Sequence, residues 1–128
     1  MPRLNVFVIE DSATIRQNLV AALEEMAPVE VVGFAVDADG AISQLIREQR
    51  PCDLVVIDLL LQSGSGVDVL KALQQHPSPP HRVVLTNYAT TLVRDHCMAL
   101  GADRVFDKST EVERLLEYCE SLAAGKRH

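Results

Sequence analysis

Five short apolar runs, each followed by a stretch with helical spacing, constrain this chain more than any other feature. The runs cover residues 4–9, 29–36, 54–57, 83–85 and 104–106, and they are rich in Val, Ile and Leu. Residues of that kind, bounded by turn formers, suit a pleated and buried strand. Between and after them, apolar residues recur three and four apart. The stripes are Ile15, Leu19, Leu23 and Met26; Ile42, Leu45 and Ile46; Val67, Leu70 and Leu73; Val93, Cys97 and Leu100; and Val112, Leu115, Leu116, Cys119, Leu122 and Ala123. That period is the mark of an amphipathic helix. Thr110, with Glu113 three residues on, opens the last stripe as a capping box would.

Strict alternation of this kind predicts an α/β fold, a doubly wound (βα)5 parallel sheet with helices on both faces. Each parallel strand needs a crossover, and the helices must cover the sheet. The runs near residues 6, 55 and 84 are continuously apolar, as central strands are, whereas "VEVVGF" partly alternates and carries Glu30, which places it at an edge. With 128 residues, 48% of them hydrophobic, the chain suits one compact domain with one sizeable core. The expected core spans residues 4–124, with 125–128 as a tail. "QSGSG" and "HPSPPHR" read as short turns rather than linkers, and no repeat is present.

Twelve basic against 18 acidic residues give a formal net charge of −6. That balance repels nucleic acid and anionic membrane surfaces. Cys52, Cys97 and Cys119 contain no CxxC pair and read as reduced core thiols, which points to the cytoplasm. The N-terminal apolar stretch is too short for a signal peptide or a membrane span and ends in acids.

The chemistry lies in what closes each strand. The first run ends in Glu10 and Asp11, the third in Asp58 and the fourth in Thr86, and the fifth is followed by Lys108. In an open α/β sheet the carboxyl ends of the strands share one edge, where ligands bind. Three carboxylates brought together repel one another unless a cation sits among them. A few hard oxygen ligands with room for water favour Mg²⁺, and His76, His81, His96 and His128 show no spacing that would suit zinc. Such a site suits phosphate. Asp58 can attack phosphorus, Lys108 can neutralise the equatorial oxygens and Thr86 can donate a hydrogen bond, giving an aspartyl phosphate. Taken singly, each residue has a structural explanation: Asp11 or Ser12 as a helix N-cap, Asp58 as a turn residue, Thr86 as a strand residue, Lys108 as a solvated lysine. The complementary set on four strand ends is what argues for a site. The Gly64 and Gly66 turn lacks the spacing of a phosphate loop.

In "VIEDS", "VVIDLLLQSGSG", "VVLTN" and "FDKST" the chain resembles the receiver domain of two-component response regulators, in particular the stand-alone type. The resemblance implies a flavodoxin-like sheet of strand order 2-1-3-4-5 and phosphorylation of Asp58 by a histidine kinase or a histidine phosphotransfer domain. It implies Mg²⁺ held by Asp11, Asp58 and the backbone carbonyl of Leu60, with Glu10 acting mostly through water. A surface on the fourth helix, fifth strand and fifth helix would switch and engage a downstream protein, and the resemblance allows a phosphorylation-dependent homodimer. The chain would catalyse only its own phosphorylation and dephosphorylation.

Four departures from the family pattern stand out. Leu61 and Gln62 occupy places where Met-Pro is usual. Ser109 follows Lys108 in place of a proline with a cis bond; a non-proline cis bond costs about 3 kcal/mol, so a trans bond is expected. Val105 stands where the aromatic rotamer switch is usual, with Phe106 directed to the other face by strand alternation. Asn87 stands where a smaller residue is common, and narrower access to the phosphoryl group is expected. Two other functions compete. An aspartyl-nucleophile phosphatase of the haloacid dehalogenase kind needs a second Asp where Leu60 stands. A phosphorylation-independent binding module would not respond to Mg²⁺.

Overall fold

The computed structural model describes residues 3–126. Its elements alternate as β1 (Leu4–Ile9), α1 (Ala13–Met26), β2 (Val29–Ala35), α2 (Ala38–Ile42), β3 (Leu54–Ile57), α3 (Gly66–Leu73), β4 (His81–Thr86), α4 (Thr91–Ala99), β5 (Arg104–Asp107) and α5 (Val112–Lys126). A π-helical turn, Ser43–Arg47, prolongs α2. All five strands are parallel, in the order β2-β1-β3-β4-β5, so "VEVVGF" does form an edge strand.

Strand alternation divides the core into two layers. Val6, Val8, Leu54, Val56, Val83, Leu85 and Phe106 pack against Leu19 and Leu23 of α1 and Leu115, Leu116 and Cys119 of α5. Phe7, Ile9, Val55, Ile57, Val84 and Val105 face Leu45 beyond α2, Val69, Leu70 and Leu73 of α3, and Cys97 of α4. Each fully buried Leu or Phe contributes about 2 kcal/mol of transfer free energy. The sheet is thus held from both faces, and its loops are free to carry chemistry.

Several stripes are narrower than the spacing predicts. Ile15 and Met26 are exposed, because only Leu19 and Leu23 of α1 reach the sheet. In α3 it is Val69, not Val67, that is buried with Leu70 and Leu73. In α4 only Cys97 is fully buried. The Thr110 capping box is displaced as well. Helix α5 begins at Val112, and its first turn is organised by Asp107, which accepts from the Ser109 and Thr110 amides, and by Glu111, whose carbonyl accepts from the Arg114 and Leu115 amides. A capping box does open α3, between Ser65 and Asp68, in the segment read as a plain turn. Helix α5 extends through Gly125 to Lys126, into the expected tail; Arg127 and His128 lie outside the described residues.

The three thiols are free, Cys97 and Cys119 buried and Cys52 half-buried. Burial pushes all three above their usual range, Cys52 to about 11 with Asp53 adding to the effect, and Cys119 to about 12 with Glu120 adding to it. Protonated thiols of this kind are poor nucleophiles. Among the described residues, no helix is long and apolar enough to cross a membrane.

Candidate functional site: the carboxyl edge of the sheet

The register of the sheet builds the site. Ile9 pairs with Ile57, and the Asp58 amide donates to the Ile9 carbonyl at 3.0 Å, so Glu10, Asp11 and Asp58 leave the sheet side by side. Thr86 pairs with Asp107, and the Lys108 amide continues that ladder to the Thr86 carbonyl at 2.9 Å. Strand β1 lies between β2 and β3, so the chain passes to opposite faces of the sheet at this edge, and a crevice opens there.

Carboxylate oxygens of Glu10, Asp11 and Asp58 all lie within 4.8 Å of one another. The Lys108 ammonium reaches into this group, 2.6 Å from Glu10 Oε1 and 3.1 Å from Asp58 Oδ2. Burial alone would lower the lysine pKa, but its hydrogen bonds to Glu10 and Asp58 and their charges outweigh that, and the pKa stands above its ordinary 10.5. The lysine is therefore a fixed cation.

The two adjacent acids of β1 differ in their bonding. Both Glu10 oxygens are engaged, Oε1 by Lys108 and Oε2 by the Ser12 amide at 3.0 Å. Ser12, rather than Asp11, caps α1, its side chain accepting from the Ile15 amide. That leaves the half-buried Asp11 carboxylate without a hydrogen bond or ion pair among the described residues. An unpaired carboxylate beside two paired ones is a donor set that fits a hard divalent cation.

Asp58 is nearly buried; its Oδ1 accepts from the Leu60 amide at 3.3 Å and its Oδ2 from Lys108. Leu60 thus reaches the site through its N–H. Its side chain is exposed, and it pairs with Ser65 in an isolated antiparallel bridge that closes the loop carrying Leu61 and Gln62. Gly66, at the end of that loop, lies against the Asp58 carbonyl, where a Cβ would collide with that oxygen and meet Ile57 Cγ2 at 2.8 Å. Thr86 is fully buried, and its Oγ1 accepts from the Tyr88 amide at 3.1 Å, which leaves the hydroxyl proton free to donate elsewhere.

The chain matches the response regulator receiver domain family over residues 6–120. It belongs to that family. It is 32% identical over 111 residues to protein-glutamate methylesterase/protein-glutamine glutaminase 3 of Geobacter sulfurreducens, covering 87% of this chain but 29% of that protein. It is 27% identical over 117 residues to the acid tolerance regulatory protein ActR of Rhizobium meliloti, covering 90% of this chain and 57% of that one. The receiver thus spans only part of the length of these relatives. The receiver domain of Francisella response regulator 1452 superposes with a TM-score of 0.84 at 22% identity, covering 97% of this chain and 99% of that one, a likeness of fold. Receivers serve phosphorylation-based two-component signalling, and the domain is not a classical enzyme.

Glu10, Asp11, Asp58 and Lys108 lie together at this edge, Leu60 reaches Asp58 through its amide, and Thr86 ends the neighbouring strand. Peptide bonds in the described residues are trans, Lys108–Ser109 included. Val105 and Phe106 are both buried on opposite faces, Phe106 edge-on to Tyr118 with ring centroids 6.3 Å apart. Sequence reasoning missed two connections. Ser109 Oγ donates to Asn87 Oδ1 at 3.0 Å, so two of the departures from the family pattern bond to each other across the loops after β4 and β5. Arg94 and Glu111 form an ion pair of 2.6 Å between α4 and the start of α5. A basic and an acidic residue 17 positions apart give no sequence signal of their meeting.

Proposed function

We propose that this chain is a phosphoacceptor receiver module. Asp58 takes the phosphoryl group of a histidine kinase or a histidine phosphotransfer domain. The carboxylate oxygen of Asp58 forms a bond to phosphorus as the P–N bond to the donor imidazole breaks, and the electron pair leaves with the imidazole. The observation that carries this reading is the convergence of three carboxylates within 4.8 Å on one lysine ammonium at a strand edge. Among the described residues one side-chain cation, Lys108, pairs within this group of three carboxylates, and no packing requirement explains their convergence.

Asp11, Asp58 and the Leu60 carbonyl would hold Mg²⁺, and Glu10, with both oxygens already engaged, would act through water. The ion would supply charge neutralisation for the phosphoryl oxygens. Lys108 stays beside Asp58 to take up the charge of the transferred group, and the Thr86 hydroxyl proton turns toward it. The face formed by α4, β5 and α5 then changes state and engages a downstream protein or a second copy of the chain.

Incubation with Mg²⁺ and acetyl phosphate is expected to add one acid-labile phosphate. Persistence of the label in Asp58→Asn would sink the assignment. Leu60, in place of a second Asp, argues against a phosphoester hydrolase, and steady-state hydrolysis of a generic phosphoester is expected to be absent. A module independent of phosphorylation would show no response to a Mg²⁺ titration.

A further inference from the structure

The family's aromatic switch has no counterpart at position 105. Val105 is small and buried in the core layer facing α2, α3 and α4, and Phe106 is fixed on the opposite face against Tyr118. Neither side chain ties the loop after Thr86 to the start of α5.

One side chain spans these segments. Arg94 on α4 donates through Nε to the Ala89 carbonyl at 3.0 Å, through Nη1 to the Val105 carbonyl at 2.5 Å, and through Nη2 to Glu111 Oε1 at 2.6 Å. Its three acceptors lie in the β4–α4 loop, in β5 and at the start of α5. At one end, Ala89 follows Tyr88, whose amide donates to Thr86 Oγ1. At the other, the same Glu111 Oε1 accepts from the Asp107 amide at 2.9 Å, and Asp107 Oδ1 holds the Ser109 and Thr110 amides just after Lys108. Thr86 and Lys108, the two groups expected to meet the phosphoryl oxygens, are thus joined through Arg94 and its bonded neighbours.

We infer that Arg94 is a positioning residue that relays the movement of Thr86 to β5 and α5, a role that an aromatic side chain at position 105 has in the family. The inference rests on the phosphoacceptor reading of Asp58. When Thr86 turns toward a phosphoryl group, Tyr88 and Ala89 move with it, and the carbonyl held by Arg94 shifts. The planar guanidinium cannot follow one acceptor without changing its fit to the other two. A lysine here would keep the charge but could not hold three acceptors in three directions.

Amide chemical shifts of the ¹⁵N-labelled chain, with and without Mg²⁺ and beryllofluoride, test this. In the unaltered chain Thr86, Tyr88, Asp107 and Val112 are expected to shift. In Arg94→Lys and Arg94→Ala, Thr86 and Tyr88 should keep their shifts, and those of Asp107 and Val112 should fall several-fold. A purely structural ion pair would lower stability and leave that pattern intact. Glu111→Ala, which removes the oxygen that accepts from both Arg94 and the Asp107 amide, provides the same reading if Arg94→Ala does not fold. An undiminished response at Val112 in Arg94→Lys or Glu111→Ala overturns the inference alone. An unaltered chain whose Thr86 amide does not respond overturns the phosphoacceptor reading, and this inference with it.

Discussion

Lys108 Nζ lies 2.6 Å from Glu10 Oε1, so the single ammonium of the site is committed to the carboxylate expected to be the indirect metal ligand. It reaches Asp58 as well, but it leaves Asp11 uncompensated. Like charges about 4 Å apart near a protein surface repel by roughly 1–4 kcal/mol. Asp11→Asn is therefore expected to raise stability by about 1 kcal/mol in chelator and to abolish the stabilisation by Mg²⁺. Thermal unfolding with and without the ion checks both effects, and a loss of stability in chelator would refute the charge argument.

Gly66 meets a steric requirement rather than a conformational one. A methyl group there would collide with the carbonyl of Asp58 and crowd Ile57. Gly66→Ala is expected to cost about 2 kcal/mol, within the range for overpacked sites, because backbone rather than a flexible side-chain tip must give way. Urea denaturation measures the cost. Acetyl phosphate labelling should slow as well, since the displaced carbonyl belongs to the phosphoacceptor itself. Gly64→Ala would act differently, through its φ of +74° and a contact with Ala38.

Strands were legible to within two residues because period-two burial on both faces of a parallel sheet leaves uninterrupted apolar runs, as in Leu54–Ile57. The site was legible for the same reason, since a strand that ends in an acid fixes where that acid sits. Helix faces were harder to read. Ile15 and Met26 extend the period of Leu19 and Leu23 but fall beyond the reach of the sheet. Glu111 was missed as the organiser of α5, because its role depends on Arg94 and on the amide of Asp107, both fixed by tertiary structure. The same holds for Asn87 and Ser109, which read separately as departures and meet only in space.

Glu111 gives the fold an acid dependence of definite sign. The hydrogen bond from Arg94 chiefly holds its carboxyl below the ordinary 4.5, with the Asp107 amide next; burial opposes them, and the charges of Arg94 and Arg114 add to the lowering. A folded pKa below the unfolded one means a stabilisation fully present above about pH 4.5 and lost as pH falls through the folded value. Unfolding free energies of the unaltered chain and Glu111→Gln are expected to differ at neutral pH and to converge below pH 4.5. A constant difference across that range would exclude the linkage.

Leu60 and Tyr88 stand two residues after Asp58 and Thr86, and both residues are exposed, 59% and 58%. In the family these positions flank the path of a water attacking the aspartyl phosphate. Apolar bulk there neither orients a water nor accepts its proton, so slow loss of phosphate is expected. Replacing both, as in Leu60→Asn with Tyr88→Ser, opens the path and supplies polar groups. The half-life of the phosphorylated chain should then shorten by about tenfold, equivalent to about 1.4 kcal/mol of barrier. Decay of radiolabel after removal of acetyl phosphate measures it. Neither residue bonds to Asp58 through its side chain, so Mg²⁺ affinity should hold in the double variant. A longer half-life would mean that access of water does not limit hydrolysis here, and that the bonded pair Asn87 and Ser109, on the loops after β4 and β5, is the next place to look.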